Sequence, residues 1–273
     1  GGFSMEMFFY GFMQRAFISG IAMAFITPIL GLFLILRRQS LMADTLSHVS
    51  LVGVALGFLL GMNPTLTTLI VVIIAAIFIE AIGKYFRGYS EITVAILMSG
   101  GMAIALILMN MQKGRSTLSV DQFLFGSIVT ITNEQMWIMI LLAVVVVGLY
   151  VIFRKPLYVL SFDEDTAMTA GLPVRLMTNL FTIITGVVIA VMMPIAGSLL
   201  VSAVIVLPAS IALRVSSKFN GVIIGGIIIS LIGFFAGLSA SYIYEAPPGA
   251  AITCVFLVIL FISFIVSAFR KKA

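Results

Sequence analysis

Apolar and polar positions fall in long blocks along this chain, not at the short period of a half-buried strand or a surface helix. Nine apolar segments can be drawn, at 13–36, 41–61, 64–85, 92–111, 135–153, 174–194, 196–213, 221–241 and 250–269. Each is close to the roughly 20 residues a helix needs to cross a bilayer core. The pattern predicts an all-α integral membrane protein, a polytopic bundle of about nine transmembrane segments. The sixth and seventh segments meet at Pro194-Ile195-Ala196-Gly197, which leaves almost no loop. A tight hairpin or one broken helix fits there, so eight is the alternative count. Leu118 to Ile131 is too short to span. It holds Asp121 and Gly126 and reads as a re-entrant or interfacial piece.

Composition excludes a water-soluble domain. Of 273 residues, 62% are hydrophobic and 9% charged, against about 25% charged in soluble domains. Charge then orients the bundle. With nine alternating spans and the C-terminus inside, Arg37, Arg38, Lys84, Arg87, Arg154, Lys155, Arg175, Arg214, Lys218, Arg270, Lys271 and Lys272 all fall on the cytoplasmic side. Only Arg15, Lys113 and Arg115 are left outside, as the positive-inside rule requires, and the N-terminus is then expected outside. The net charge of +5 follows the bilayer and calls for no nucleic-acid partner. The one cysteine, Cys254, allows no intramolecular disulfide. Gly1-Gly2-Phe3-Ser4 before Met5 reads as a vector-derived remnant (residues 1–4), and 5–273 as a single transmembrane domain. No small-residue cleavage site follows the first apolar block, which is expected to stay as a helix.

Within the second block, Asp44 and His48 stand four residues apart, and His48 is the only histidine. Four residues rise about 6 Å along a helix and return close to the same face, so carboxylate and imidazole can share one target. A charge at bilayer depth costs at least roughly 2.5–3.5 kcal/mol unless paired or wet. Asp plus His is a usable ligand set for a divalent first-row metal. A metal or cation pathway is therefore the leading reading. A buried hydrogen bond that only locks helices together, a proton relay and a catalytic dyad stay open beside it.

The longest cytoplasmic connection runs from Phe153 to Val174. Ser161 or Asp163 can cap a short helix there, Asp163, Glu164 and Asp165 suit its N-terminal end, and Gly171 with Pro173 stops it. Ala167, Ala170 and Gly171 would give it a small-residue surface for a partner's groove; a plain interfacial connector is the alternative. Such a short helix is marginal in water and needs external support. Of the remaining polar groups, Glu80 is expected to pair with Lys84 one turn away, and Glu91 to begin the fourth span. Ser99-Gly100-Gly101 and Gly225-Gly226 are expected at close helix contacts, Pro208 at a helix distortion, and the sixteen methionines as apolar filler instead of Cu(I) ligands.

The chain has no G-x-x-x-x-G-K-[ST], H-E-x-x-H or G-x-S-x-G sequence. It has no nucleotide site of that kind, so its work must be driven by an ion gradient or another subunit. An ion-coupled secondary carrier would usually show internal repeats, and none is convincing. An intramembrane hydrolase using His48 as base would need a paired serine nucleophile, and none is apparent.

Four stretches, in order along the chain, resemble the ABC-3 group of metal permeases of ATP-binding-cassette importers. They are Leu36–Gly57, Ser161–Pro173, Gly197–Ser210 and Pro247–Thr253. The chain departs from the family pattern at Ala43, where the family usually has Gly, and at Pro248 and Ala251 in the last stretch. The resemblance implies a membrane-spanning subunit that is not an enzyme and holds no permanent cofactor. It implies a homodimer in the lipid bilayer of a bacterial cell membrane, a cytoplasmic ATP-binding-cassette ATPase and an extracytoplasmic metal-binding protein. Asp44 and His48 would hold the transported ion. Phe162, Asp163, Glu164, Ala167, Gly171 and Leu172 would belong to a coupling helix seated on the ATPase. The run from Arg37 to His48 is most similar to the zinc branch, so Zn(II) is the expected cargo, with Mn(II) or Fe(II) as alternatives.

Overall fold

Each of the nine apolar blocks forms a helix. The computed structural model describes residues 6–85, 90–111 and 123–272. After a 3-10 turn at Met7–Phe9 come α1 (Gly11–Leu36), α2 (Ser40–Leu60), α3 (Pro64–Tyr85), α4 (Ser90–Asn110) and α5 (Asn133–Ile152). Two short helices follow, α6 (Arg154–Phe162) and α7 (Glu164–Thr169). The chain then crosses back through α8 (Val174–Ala196), α9 (Val201–Val215), α10 (Phe219–Tyr244) and α11 (Pro248–Lys272). No strand occurs among the described residues. Seven of these helices are long and apolar enough to span, and α9 and the apolar part of α4 are shorter. Residues 1–4, Arg87, Lys113, Arg115 and the part of the expected re-entrant piece from Leu118 to Gln122, Asp121 included, lie outside the described residues.

Antiparallel alternation gathers Arg37, Arg38, Arg154, Lys155, Arg214 and Arg270 at one end of the bundle. Contacts across it agree with that order. At the basic end, the Tyr150 hydroxyl donates to Asn220 Oδ1, and the Tyr158 and Phe219 rings meet edge-on at 5.2 Å. At the opposite end, Phe8 stacks near Phe235 at 6.2 Å, and Arg15 Nε donates to the Ile131 carbonyl at 2.7 Å.

Helix α1 is the axle of the molecule, with 78% of its spanning window buried. Small residues let its neighbours close in. A Cβ on Gly31 would stand 2.3 Å from the Ile205 carbonyl oxygen of α9, and one on Gly226 would stand 2.6 Å from Pro28 Cβ. Thr27 and Ser230 hydroxyls meet at 3.2 Å between α1 and α10. Gly101 packs on Val49 as expected, whereas Gly100 faces open space. Interhelical approach through small residues is the usual substitute for a hydrophobic driving force inside lipid.

Two junctions set up the candidate site. Arg37 to Gln39 turn α1 into α2, with Arg38 N–H bonded to Ile35 O and Gln39 N–H to Leu34 O. This is a Schellman arrangement in which Arg38, at φ 55°, occupies the left-handed position that glycine usually fills. The second junction separates α8 from α9. Pro194 stays inside α8, the helix ends at Ala196, and Gly197 turns at φ 81°. The tight connection is therefore four residues, and α9 starts at Val201, five positions later than the expected span. The described part of the re-entrant piece packs on this break: Ser127 N–H donates to Pro194 O (3.0 Å) and Ser198 N–H to Phe123 O (2.8 Å). Gly126 approaches so closely that a Cβ there would meet Ile195 O at 2.0 Å.

Candidate functional site

Asp44 and His48 lie in the first turns of α2, on its least covered face. Gly53 and Gly57 press α2 against α3, Val49 meets α4, and Ser50 reaches α8. That leaves Leu41, Asp44, His48 and Val52 as a stripe at helical spacing, none of them fully buried. Asp44 is 31% exposed and His48 17% in the single chain. Carboxylate and imidazole are thus both partly exposed on a spanning helix.

The spacing of the donors suits a cation. His48 Nε2 lies 3.6 Å from Asp44 Oδ1, too far for a hydrogen bond. Two donors on one tetrahedral ion, each about 2.0–2.2 Å from it, stand roughly 3.3–3.5 Å apart. A closing movement of a few tenths of an ångström would seat an ion between them. Among the described residues, His48 Nδ1 is buried and has no hydrogen-bond partner. Metal-ligating histidines in resident sites are generally oriented through that second nitrogen. No group of three or more His, Cys, Asp or Glu that could enclose a metal occurs among the described residues. Further donors can come from backbone carbonyls, hydroxyls, water or another chain.

Depth follows from the partner of Asp44. Ser202 Oγ donates to Asp44 Oδ1 at 3.0 Å. Ser202 is the second residue of α9, about 20 Å along that helix from its basic end, whereas Asp44 is only about 6 Å from the start of α2. The α1–α2 turn is thus recessed into the bundle. Arg37 agrees: its guanidinium lies 5.6 Å from the Phe181 ring, which is about 10 Å up α8. Burial lowers the Arg37 guanidinium from its ordinary range, while the Glu80 and Glu164 carboxylates oppose that shift. Glu80 itself accepts from Thr182 Oγ1 at 2.5 Å. The expected partner Lys84 has its side chain outside the described residues.

The segment expected as one short helix is two. Phe162 closes α6, and Asp163 caps α7, accepting from Asp165 N (3.1 Å), Thr166 N (3.3 Å) and Thr166 Oγ1 (2.5 Å). These bonds, the Thr166 hydroxyl first, hold the Asp163 carboxyl below its usual range. Glu164 opens α7, and Gly171 ends the segment at φ 83°. One expectation needs correcting. Ala167 is fully buried with Leu160 and Val174, and Leu172 packs on that cluster. Ala167 holds the segment to the bundle and is not part of an outward small-residue surface; Phe162, Asp163, Glu164, Ala170 and Gly171 are exposed.

The model of the ABC 3 transport family matches residues 9–267. The chain belongs to that family. This ABC 3 protein is 31% identical over 256 residues to the manganese transport system membrane protein MntC of Listeria innocua, covering 94% of this chain and 91% of that one. It is 30% identical over 267 residues to the manganese import system permease protein ScaB of Streptococcus parasanguinis, with 96% and 93% covered. The solved structure of PsaBC from Streptococcus pneumoniae in complex with Fab superposes with a TM-score of 0.84 at 28% identity, covering 96% of this chain and 94% of that one. A putative metal-chelate type ABC transporter in an inward-facing conformation shares the fold, with a TM-score of 0.74 at 14% identity. ABC 3 membership makes the chain a multi-pass membrane subunit of a transporter.

Ser202 and Thr182 carry polar contacts that sequence reading did not single out. Their partners lie 158 and 102 positions away, and hydroxyls are common in spans. Met193 accepts from Ser50 Oγ at 3.0 Å and is fully buried, in keeping with a packing role.

Proposed function

We propose that this chain is the membrane-spanning permease subunit of an ATP-driven importer for a divalent transition metal. The observation that carries the reading is the Asp44–His48 pair, spaced for a cation, deep in the bundle and open on one face. Mn(II) is the favoured cargo. The sequence expectation leaned to zinc, but relatives that match nearly the full chain are named for manganese. A site built on a carboxylate and an imidazole accommodates Mn(II). Zn(II) and Fe(II) are the competing cargoes.

A second copy of the chain covers the open face of α2. Ionisable side chains facing lipid are costly, and a symmetric dimer would bring two Asp44–His48 pairs to one path. The exposed acidic turn at Asp163 and Glu164 docks a separate ATPase chain, which hydrolyses the ATP. An extracytoplasmic binding protein delivers the ion to the opposite end, with the N-terminus outside and the C-terminus cytoplasmic.

The test is uptake of Mn(II) and Zn(II) into proteoliposomes holding the chain with its ATPase and binding protein. ATP-dependent uptake that Asp44→Ala or His48→Ala stops in an assembled complex is the expected result, with Mn(II) preferred. Normal transport by both variants would make the pair structural, and uptake without ATP would point to a secondary carrier.

A further inference from the structure

We propose that Ser202 is a positioning residue for the transported cation: its hydroxyl aims the Asp44 carboxylate and ties that aim to the position of α9. The inference rests on Asp44 being a cargo ligand. Three observations support it. Ser202 Oγ donates to Asp44 Oδ1 at 3.0 Å, and this is the same oxygen that stands 3.6 Å from His48 Nε2. A carboxylate oxygen that accepts one hydrogen bond keeps a second lone pair, so the hydroxyl fixes the direction of Oδ1 while leaving it able to share an ion with His48 Nε2. Ser202 also sits just past the Gly197 turn, where Ser198 N–H is held by Phe123 O (2.8 Å) and Leu199 N–H by Leu124 O (3.4 Å). Any displacement of that layer at the end of the bundle opposite the basic residues shifts the first turn of α9, and with it the hydroxyl on Asp44. Opening at that end and the geometry of the cation site are thereby joined through a single bond, some 158 positions apart in sequence.

Partners that orient a metal ligand are generally worth 10–100-fold in affinity. In the assembled complex in proteoliposomes, Ser202→Ala is expected to raise the KM for Mn(II) uptake about tenfold, with the maximal rate changed far less. Ser202→Thr keeps the hydroxyl and is expected to stay within about twofold of the parent KM. Simple packing between α2 and α9 predicts the reverse order, because threonine is larger and alanine smaller. An unchanged KM in Ser202→Ala overturns the proposal, and so does a Thr variant as impaired as the Ala one. If the Ala variant does not assemble by size exclusion, Ser202→Cys carries the same comparison, with a near-isosteric but weak donor. Asp44→Ala in parallel separates the two readings. If it transports normally, the cargo site itself is misassigned; if it is inactive while Ser202→Ala behaves as the parent, only the role of Ser202 fails.

Discussion

Helices α2 and α11 are both long apolar helices, yet they occupy opposite environments. Of the seven long spans, α2 is the least apolar and α11 the most. Buried residues make up 56% of the spanning window of α2 and only 11% of that of α11. In water the more apolar helix would be the one inside. In a bilayer that order need not hold, because lipid is as apolar as any side chain and the interior is where polar groups find partners. Helix α2 carries Ser50 and Asp44, which bond Met193 of α8 and Ser202 of α9, together with His48. The surface of α11 carries Val258, Phe261 and Ile265, all exposed. The proposed cargo pair sits on the least apolar of those seven spans.

The largest expected effects break that contrast at the site. Asp44→Ala or His48→Ala lowers ATP-dependent metal uptake on the order of 100-fold or more, while Cys254→Ser, on the lipid side of α11, leaves uptake unchanged. Equal losses from all three would mean that the two helices do not differ in function. A packing test comes next. Gly53→Val on α2 forces a Cβ into a position 2.5 Å from Thr68 Cα and is expected to destabilise the protein by about 1–3 kcal/mol. Val258→Leu on α11 stays within about 0.5 kcal/mol. Thermal unfolding of the purified complex reads both.

A smaller effect concerns the turn between α6 and α7. Asp163→Ala removes the cap and weakens ATPase coupling, whereas Asp163→Asn retains capping. The Asp163 carboxyl is held below its ordinary range, so its contribution is full at neutral pH and lost as pH falls through the lowered folded-state value. Acid sensitivity of coupling that is the same in parent and Asn variants would exclude this cap as its source. The smallest effect is expected at Arg38, where glycine would relieve the left-handed strain; Arg38→Gly should raise stability by about 0.5 kcal/mol.

Much of the fold was legible because bilayer thickness imposes length and composition on each span independently of its neighbours. The Asp44–His48 pair was legible too, since four-residue spacing on one helix is a local fact. So were the Asp163 cap and the Gly171 stop, which depend on two or three adjacent residues. Arg154–Phe162 was not read as a helix, because its basic first turn opposes the helix dipole and Pro156 reads as a breaker. Proline is tolerated in a first turn, where the missing N–H costs nothing. The inward position of Ala167 was hidden for a different reason: a small residue suits a tight internal contact as well as a partner's groove, and only its neighbours Leu160 and Val174 decide between them.

From the sequence alone follow a membrane protein of nine helical blocks, a basic end, and one carboxylate and one imidazole on a shared face. Those properties come from local hydropathy, charge and helical periodicity. Tertiary structure alone decided that α1 is central and α11 peripheral, that the α1–α2 turn is recessed, and that Ser202 holds Asp44 while Thr182 holds Glu80. The physical reason is that helices in lipid choose neighbours by close packing and polar satisfaction between distant segments. Hydropathy, which measures each segment against the solvent, does not say which distant segments will meet.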